Sequence, residues 1–238
     1  MTNPYKETLK KLEDSKHLIS MVPIDEIIRF GHSIGLHKES KVLDLCCGYG
    51  TVLKVWHEAF GVSGVGVDIW DEAILIGRER LIEAGIKSIN LIEGDVLQYQ
   101  DTASYDVVIC SETFDSIDTT LALGARFLKP QGVLAYQKVY AKTPNPPQEL
   151  LDFEGQVLTL GELNKIFTNL GYFITHLATD STGDWERYIT WSAKRDLARL
   201  RSNPTNEEVR SWIDQWYRMY FDYRRPYEGQ ALFGLERL

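Results

Sequence analysis

Three aspartates stand where short apolar runs give out. Lys41-Val42-Leu43-Asp44-Leu45 leads into Cys46-Cys47-Gly48-Tyr49-Gly50, Gly64-Val65-Gly66-Val67 ends in Asp68, and Ile89 to Ile92 is followed by Gly94-Asp95. Glycines after the first run let backbone approach a ligand closely and start a helix in little space. A carboxylate at the end of the second run can accept both hydroxyls of a ribose. One after the third can accept the amino group of an adenine. Each piece alone is a weak signal; in this order they describe a site for an adenosine-bearing ligand.

A fourth apolar run, Tyr105 to Cys110, ends in Ser111 and Glu112. Glu112 is the first candidate for a general base, because a strand-end carboxylate there would face the reacting group; Asp115, His17 and Tyr140 are further candidates. Cys46, Cys47 and Cys110 do not suggest a metal. Adjacent cysteines chelate poorly, and no histidine lies at ligand spacing, so they read as small residues at strand ends. Three cysteines that cannot all pair suit reduced thiols, and with no apolar leader we expect a cytoplasmic protein.

The elements that must position these residues alternate. Strand candidates at 41–45, 64–68, 89–92, 105–110 and 132–139 are separated by helices from about Thr51 to Phe60, from a cap at Asp71 to Gly85, and from Ile117 to Leu128. A capping box at Thr159–Glu162 opens another helix, ending near Gly171, and strands follow from Tyr172 and over 231–235. Short apolar runs alternating with helices make a doubly wound α/β fold, here a mostly parallel seven-stranded sheet. We expect one domain over 1–238. It has an N-terminal helical cap (1–38) of two short helices, the second carrying Ile24, Ile27 and Ile28 at helical spacing, and a helical insertion (181–228) before the last strand. The insertion's stripe of Val209, Trp212, Ile213, Trp216, Tyr217 and Tyr220 predicts an amphipathic helix.

Residues 40–140 resemble the class I, Rossmann-like methyltransferases that use S-adenosylmethionine (SAM), whose first motif is commonly Asp/Glu-x-Gly-x-Gly-x-Gly. The resemblance implies that Asp44, Cys46, Cys47, Gly48 and Gly50 surround the methionine part of SAM. It implies that Asp68 takes the ribose, that Ile69, Asp95 and Val96 flank the adenine, and that Ser111 and Glu112 lie below the methyl group. Cys46 departs from the motif by replacing its first glycine, which requires the backbone there to avoid a glycine-only conformation. Further on, Gly183 to Tyr188, Trp191, Asn203-Pro204 and Gly229 to Phe233 are similar to a bacterial subgroup of small-molecule methyltransferases.

A dinucleotide site is the main rival. Leu53 stands where its third glycine belongs, and Asp44 would repel a pyrophosphate but suits an ammonium and a sulfonium. Asn145-Pro146-Pro147-Gln148 shares three residues with the motif of DNA amino-methyltransferases. It lacks the aromatic residue that stacks a flipped base and follows the fifth strand instead of the fourth, so it reads as a rigid loop. A net charge of -8 argues against nucleic-acid or anionic-membrane partners; Arg224-Arg225 reads as an ion-pair site or a solvated face. Trp185, Tyr188 and Tyr140 are candidate lid residues over a small-molecule acceptor. Such a lid would hold a flat substrate, or a cationic amine helped by Asp184 and Glu186. Two alternatives stand beside the methyltransferase: a transferase using a SAM-like donor, and a non-catalytic SAM-binding module.

Overall fold

The computed structural model describes residues 22–111 and 116–237. The chain divides into two compact units. One, Ile24–Lys138, Gly161–Thr179 and Ala231–Leu238, carries most of the sheet. The other is mainly helical and comprises chiefly Val139–Leu160 and Asp180–Gln230.

The sheet unit opens with α1 (Ile24–Ser33), β1 (Lys41–Leu45), α2 (Thr51–Phe60), β2 (Ser63–Asp68), α3 (Asp71–Glu83), β3 (Ile89–Glu93), β4 (Tyr105–Ser111), α4 (Ile117–Ala125) and β5 (Leu128–Ala141). After α5 (Gln148–Glu154) come α6 (Leu160–Asn169), β6 (Phe173–Thr179) and, past the helical unit, β7 (Glu228–Glu236). The seven strands lie in the order β3-β2-β1-β4-β5-β7-β6. β1 pairs in parallel with β2 and β4, β2 with β3, and β4 with β5, whereas β6 and β7 are antiparallel. The first helix predicted within the 1–38 cap falls outside the described residues; the second is α1. Trp56 of α2 donates its indole N–H to the carbonyl of Ile27 at 2.9 Å. A Cβ on Gly31 would sit 3.0 Å from that indole nitrogen and 2.5 Å from the ring of Phe60, so the glycine leaves room for both.

β1 is buried along its length after Lys41, as a central strand covered on both faces must be. The strand order reverses between β1 and β4, and such a switch point opens a crevice at the carboxyl ends of the strands. Register aligns those ends: Leu45 lies beside Val67 on one side and Cys110 on the other, and Asp68 beside Glu93.

The structure corrects three local expectations. α4 ends at Ala125, not Leu128, because the Phe127 carbonyl accepts the amide of Tyr105 and starts β5 early; Gln131 then turns the strand with a φ of 66°. Asp71 is the first residue of α3, not its cap; Trp70 holds that position, and its N–H is taken by Asp68. Pro147 closes the rigid loop and precedes α5, an unforeseen short helix.

In the helical unit, α7 (Thr182–Ser202) begins with a reciprocal capping box between Ser181 and Asp184. α8 (Glu207–Met219) is capped by Asn206. The two pack together around Trp185, Ile189 and Tyr220, with Tyr188, Trp216 and Tyr217 at the margin. α8 runs into a π-helical turn, Tyr220–Arg224, and one helical turn, Arg225–Tyr227, before β7. The π turn buries both Tyr220 and Arg224. The Arg224 guanidinium lies over the rings of Trp216 (4.4 Å), Trp185 (5.6 Å) and Phe153 (5.9 Å), and pairs with Glu154 and Glu228. Arg225 pairs with Glu186, so both arginines of this run are in ion pairs.

Candidate active site

Asp44, at the end of β1, is 3% exposed. Burial first, and the charge of Asp68 second, push its pKa up to about 7. A buried carboxylate within the field of a second one is poorly suited to an anionic ligand and well suited to a cationic one.

The loop beyond it is held from below. The amides of Cys46 and Cys47 both donate to the carbonyl of Val67, at 2.8 and 3.1 Å. Asp68 ties the other side: one carboxylate oxygen accepts the amide of Gly48 at 2.7 Å and the other that of Trp70 at 2.9 Å. Asp68, the last residue of β2, therefore positions the glycine turn. Each carboxylate oxygen can accept a second bond, so capacity for hydroxyls remains.

Cys46 overturns the expectation about its backbone. It takes a φ of 67°, in the left-handed region that favours glycine. The two amide bonds to Val67 hold the turn there at a cost of about 1–2 kcal/mol. Gly48 and Gly50 have φ of 54° and 68°, so three residues of the loop share this region. The Cys47 side chain turns towards β2, where a Cβ on Gly66 would lie 2.7 Å from its sulfur. Burial and the charges of Asp44 and Asp68 push the Cys47 thiol well above the ordinary thiol range, and burial does the same to Cys110. Neither supplies a thiolate nucleophile. All three cysteines are free.

At the other strand ends, Ile69 is 76% exposed directly after Asp68. Asp95 is exposed and accepts the amide of Leu97 at 2.9 Å, while Val96 is buried beneath it. Ser111 ends β4, half-buried. Glu112 and Asp115 lie outside the described residues, as does His17. The strand ends thus bring Asp44, Cys46, Cys47, Gly48, Gly50, Asp68, Ile69, Asp95, Val96 and Ser111 to the carboxyl edge of one sheet.

Tyr140, Trp185 and Tyr188 belong to the helical unit. Trp185 is 1% exposed, between Tyr220 and Arg224, so its faces are already covered by protein. Tyr188 is half-buried and stacks on Trp191. Tyr140 packs on Gly229, where a Cβ would fall 2.6 Å from the ring; burial raises its phenol above the ordinary value, which makes it a poor base. Asp184 is committed to the α7 cap and Glu186 to Arg225. The sequence reading missed Asp180, whose pKa burial pushes up to about 6. It has no motif around it, and only the return of the chain at Gln230 reveals its setting.

A family model described as a methyltransferase domain matches residues 42–132. Over 242 residues the chain is 25% identical to the uncharacterized protein YjhP of Escherichia coli, covering 94% of this chain and 96% of that one. The demethylmenaquinone methyltransferase of Staphylococcus aureus is 30% identical over 108 residues, 42% of this chain and 44% of its own length. Among solved structures, a SAM-dependent methyltransferase from Geobacter sulfurreducens in complex with S-adenosylhomocysteine has the same fold. Its TM-score is 0.86 at 24% identity, with 98% of each chain covered. Residues 42–132 are thus similar to a methyltransferase domain, and the chain has the fold of the S-adenosylhomocysteine-bound methyltransferase from Geobacter sulfurreducens.

Proposed function

We propose that this chain transfers a methyl group from SAM to a small-molecule acceptor. The observation that carries the reading is the buried Asp44 and the half-buried Asp68 around the left-handed loop Cys46–Gly50. Two carboxylates beside a close backbone turn favour a ligand with a cationic end and a ribose over a pyrophosphate.

In this reading Asp44 faces the cationic methionine end beside the Cys46–Gly50 turn, and Asp68 accepts the ribose hydroxyls. Asp95 accepts the adenine amino group, with Ile69 and Val96 against the ring and Ser111 and Glu112 near the acceptor. SAM, when bound, supplies a methyl group on an excellent leaving group. The protein's share is to align the acceptor and keep water out, which is worth several kcal/mol. Glu112 is the base we assign for acceptors that carry a proton. The net charge of -8 supports a small acceptor over a nucleic acid.

Calorimetric titration with SAM, S-adenosylhomocysteine and NAD tests the reading. Both adenosyl ligands should bind the wild type and NAD should not. Asp68→Ala should weaken SAM by about 10- to 100-fold, since hydrogen bonds to a charged group contribute about 1.5–3 kcal/mol. Incubation with SAM and fractionated metabolites should then yield methylated products. Tighter binding of NAD than of SAM, or an unaffected Asp68→Ala variant, would sink it.

A further inference from the structure

Asp44 is a carboxyl set among apolar strand ends. Its neighbours in register are Gly66 on β2 and Ile109 on β4, neither of which has a polar side chain. It is buried, and among the described residues no cation pairs with it.

The charged and titratable groups on the surrounding elements do not relieve it. Asp68, at the end of β2, repels a second negative charge and is itself fixed by the amides of Gly48 and Trp70. Glu93 lies beside Asp68 in register at the end of β3. Cys47 on the loop and Cys110 on β4 both lie within the fields of Asp44 and Cys46, and burial keeps both as thiols. Arg80 of α3 lies over the ring of Tyr49 at 4.9 Å. In α2, Lys54 pairs with Glu58, and His57 is bonded to the carbonyl of Val62 just ahead of β2, at the amino edge of the sheet. α4 brings Asp118 in its first turn. Glu112 and Asp115 are outside the described residues.

A carboxyl in this setting has two states. Without a partner it holds its proton up to a pKa of about 7. With a cation beside it, the carboxyl O–H bond breaks, the proton passes to the buffer, and the carboxylate pairs with the cation. We propose that Asp44 sets the ligand specificity of this site by proton exchange: a cationic methionine end displaces the Asp44 proton, and a ligand without that cation leaves it in place. This rests on the reading of the site as one for SAM. Raising the pH removes the proton in advance, so affinity for the cationic ligand rises towards pH 7 and levels off above it. A neutral ligand gains nothing from the same change.

The test is calorimetric titration of the full chain at pH 6.5 in MES and in imidazole, whose different heats of ionisation count the protons released. SAM is compared with adenosine, which shares the ribose and adenine and lacks the methionine cation. At this pH the amine of SAM is itself almost fully protonated, so its own titration adds little. We expect SAM to release about 0.8 proton per site and adenosine none. SAM should bind about fivefold more tightly at pH 7 than at pH 6, while adenosine changes by less than about twofold. Asp44→Asn, with its fold checked by circular dichroism, should bind SAM without releasing a proton. The inference is overturned if SAM binds the wild type without proton release, if adenosine releases as much as SAM, or if release survives in Asp44→Asn. The first two outcomes are read on the wild type and hold whether or not the variant folds. SAM binding without release removes this inference alone, and no SAM binding at either pH removes the cofactor reading on which it rests.

Discussion

Replacing Asp44 by asparagine should stabilise the ligand-free protein at pH 8 and leave it unchanged at pH 4. The folded chain holds the Asp44 carboxyl at about 7, against 3.8 for an ordinary aspartate. Below pH 4 the group is protonated whether the chain is folded or not and contributes no difference. Between about 4 and 7 the unfolded chain releases the proton and the folded one keeps it, so stability falls as pH rises through that window and levels off above it. At about 1.4 kcal/mol per pKa unit the loss comes to about 4 kcal/mol, an upper figure because buried groups relax. For a chain of this size that corresponds to a melting temperature on the order of 10 °C lower. Asparagine has nearly the same shape and no charge to desolvate, so it escapes the penalty. Thermal unfolding of both proteins from pH 4 to pH 8, without SAM, should show the curves coinciding at the acid end and separating in favour of the variant. SAM binding should be weaker in the variant, because the cationic end loses its counter-charge. A variant less stable than wild type at pH 8 would refute the claim that Asp44 is a buried, uncompensated carboxylate kept for a ligand.

Cys46→Gly should be more stable than Cys46→Ala by about 1 kcal/mol, since alanine keeps the left-handed strain and glycine removes it at some entropic cost; urea unfolding of the pair decides, and the reverse order would deny that the turn is strained. Arg224→Ala should destabilise the protein by about 3–5 kcal/mol because it removes the buried cation paired with Glu228 and Glu154. Tryptophan fluorescence during unfolding should report the loss, and a shift within about 0.5 kcal/mol would show that the guanidinium is dispensable to the helical unit.

The sheet was readable because its strands are short continuous apolar runs, the pattern that burial on both faces imposes, and because each chemically suggestive residue sits where such a run ends. β1 and β4, flanking the switch point, are the plainest cases. What was not readable depends on partners distant in sequence. Nothing local in Ile117 to Leu128 says that the Phe127 carbonyl will be claimed by Tyr105, so the helix was read too long. Nothing local in Trp70-Asp71 says that Asp68 takes the amide an Asp71 cap would leave free.

The same reasoning explains the candidate site. Cys46 could be read as a departure from a glycine motif, but its conformation follows from two amides bonded to one carbonyl on the neighbouring strand. That contact forces the left-handed turn whichever side chain stands there. The helical insertion was legible as an amphipathic stripe, and the stripe named Tyr220 as an apolar-face residue. It did not name Asp180, because a carboxylate ahead of a serine cap looks like any loop residue. Only when Gln230 returns to bond it does that aspartate acquire its partly buried setting. Motif spacing can locate a cofactor site because the strands that carry it are regular. Pairings between residues distant in sequence leave no such local signature.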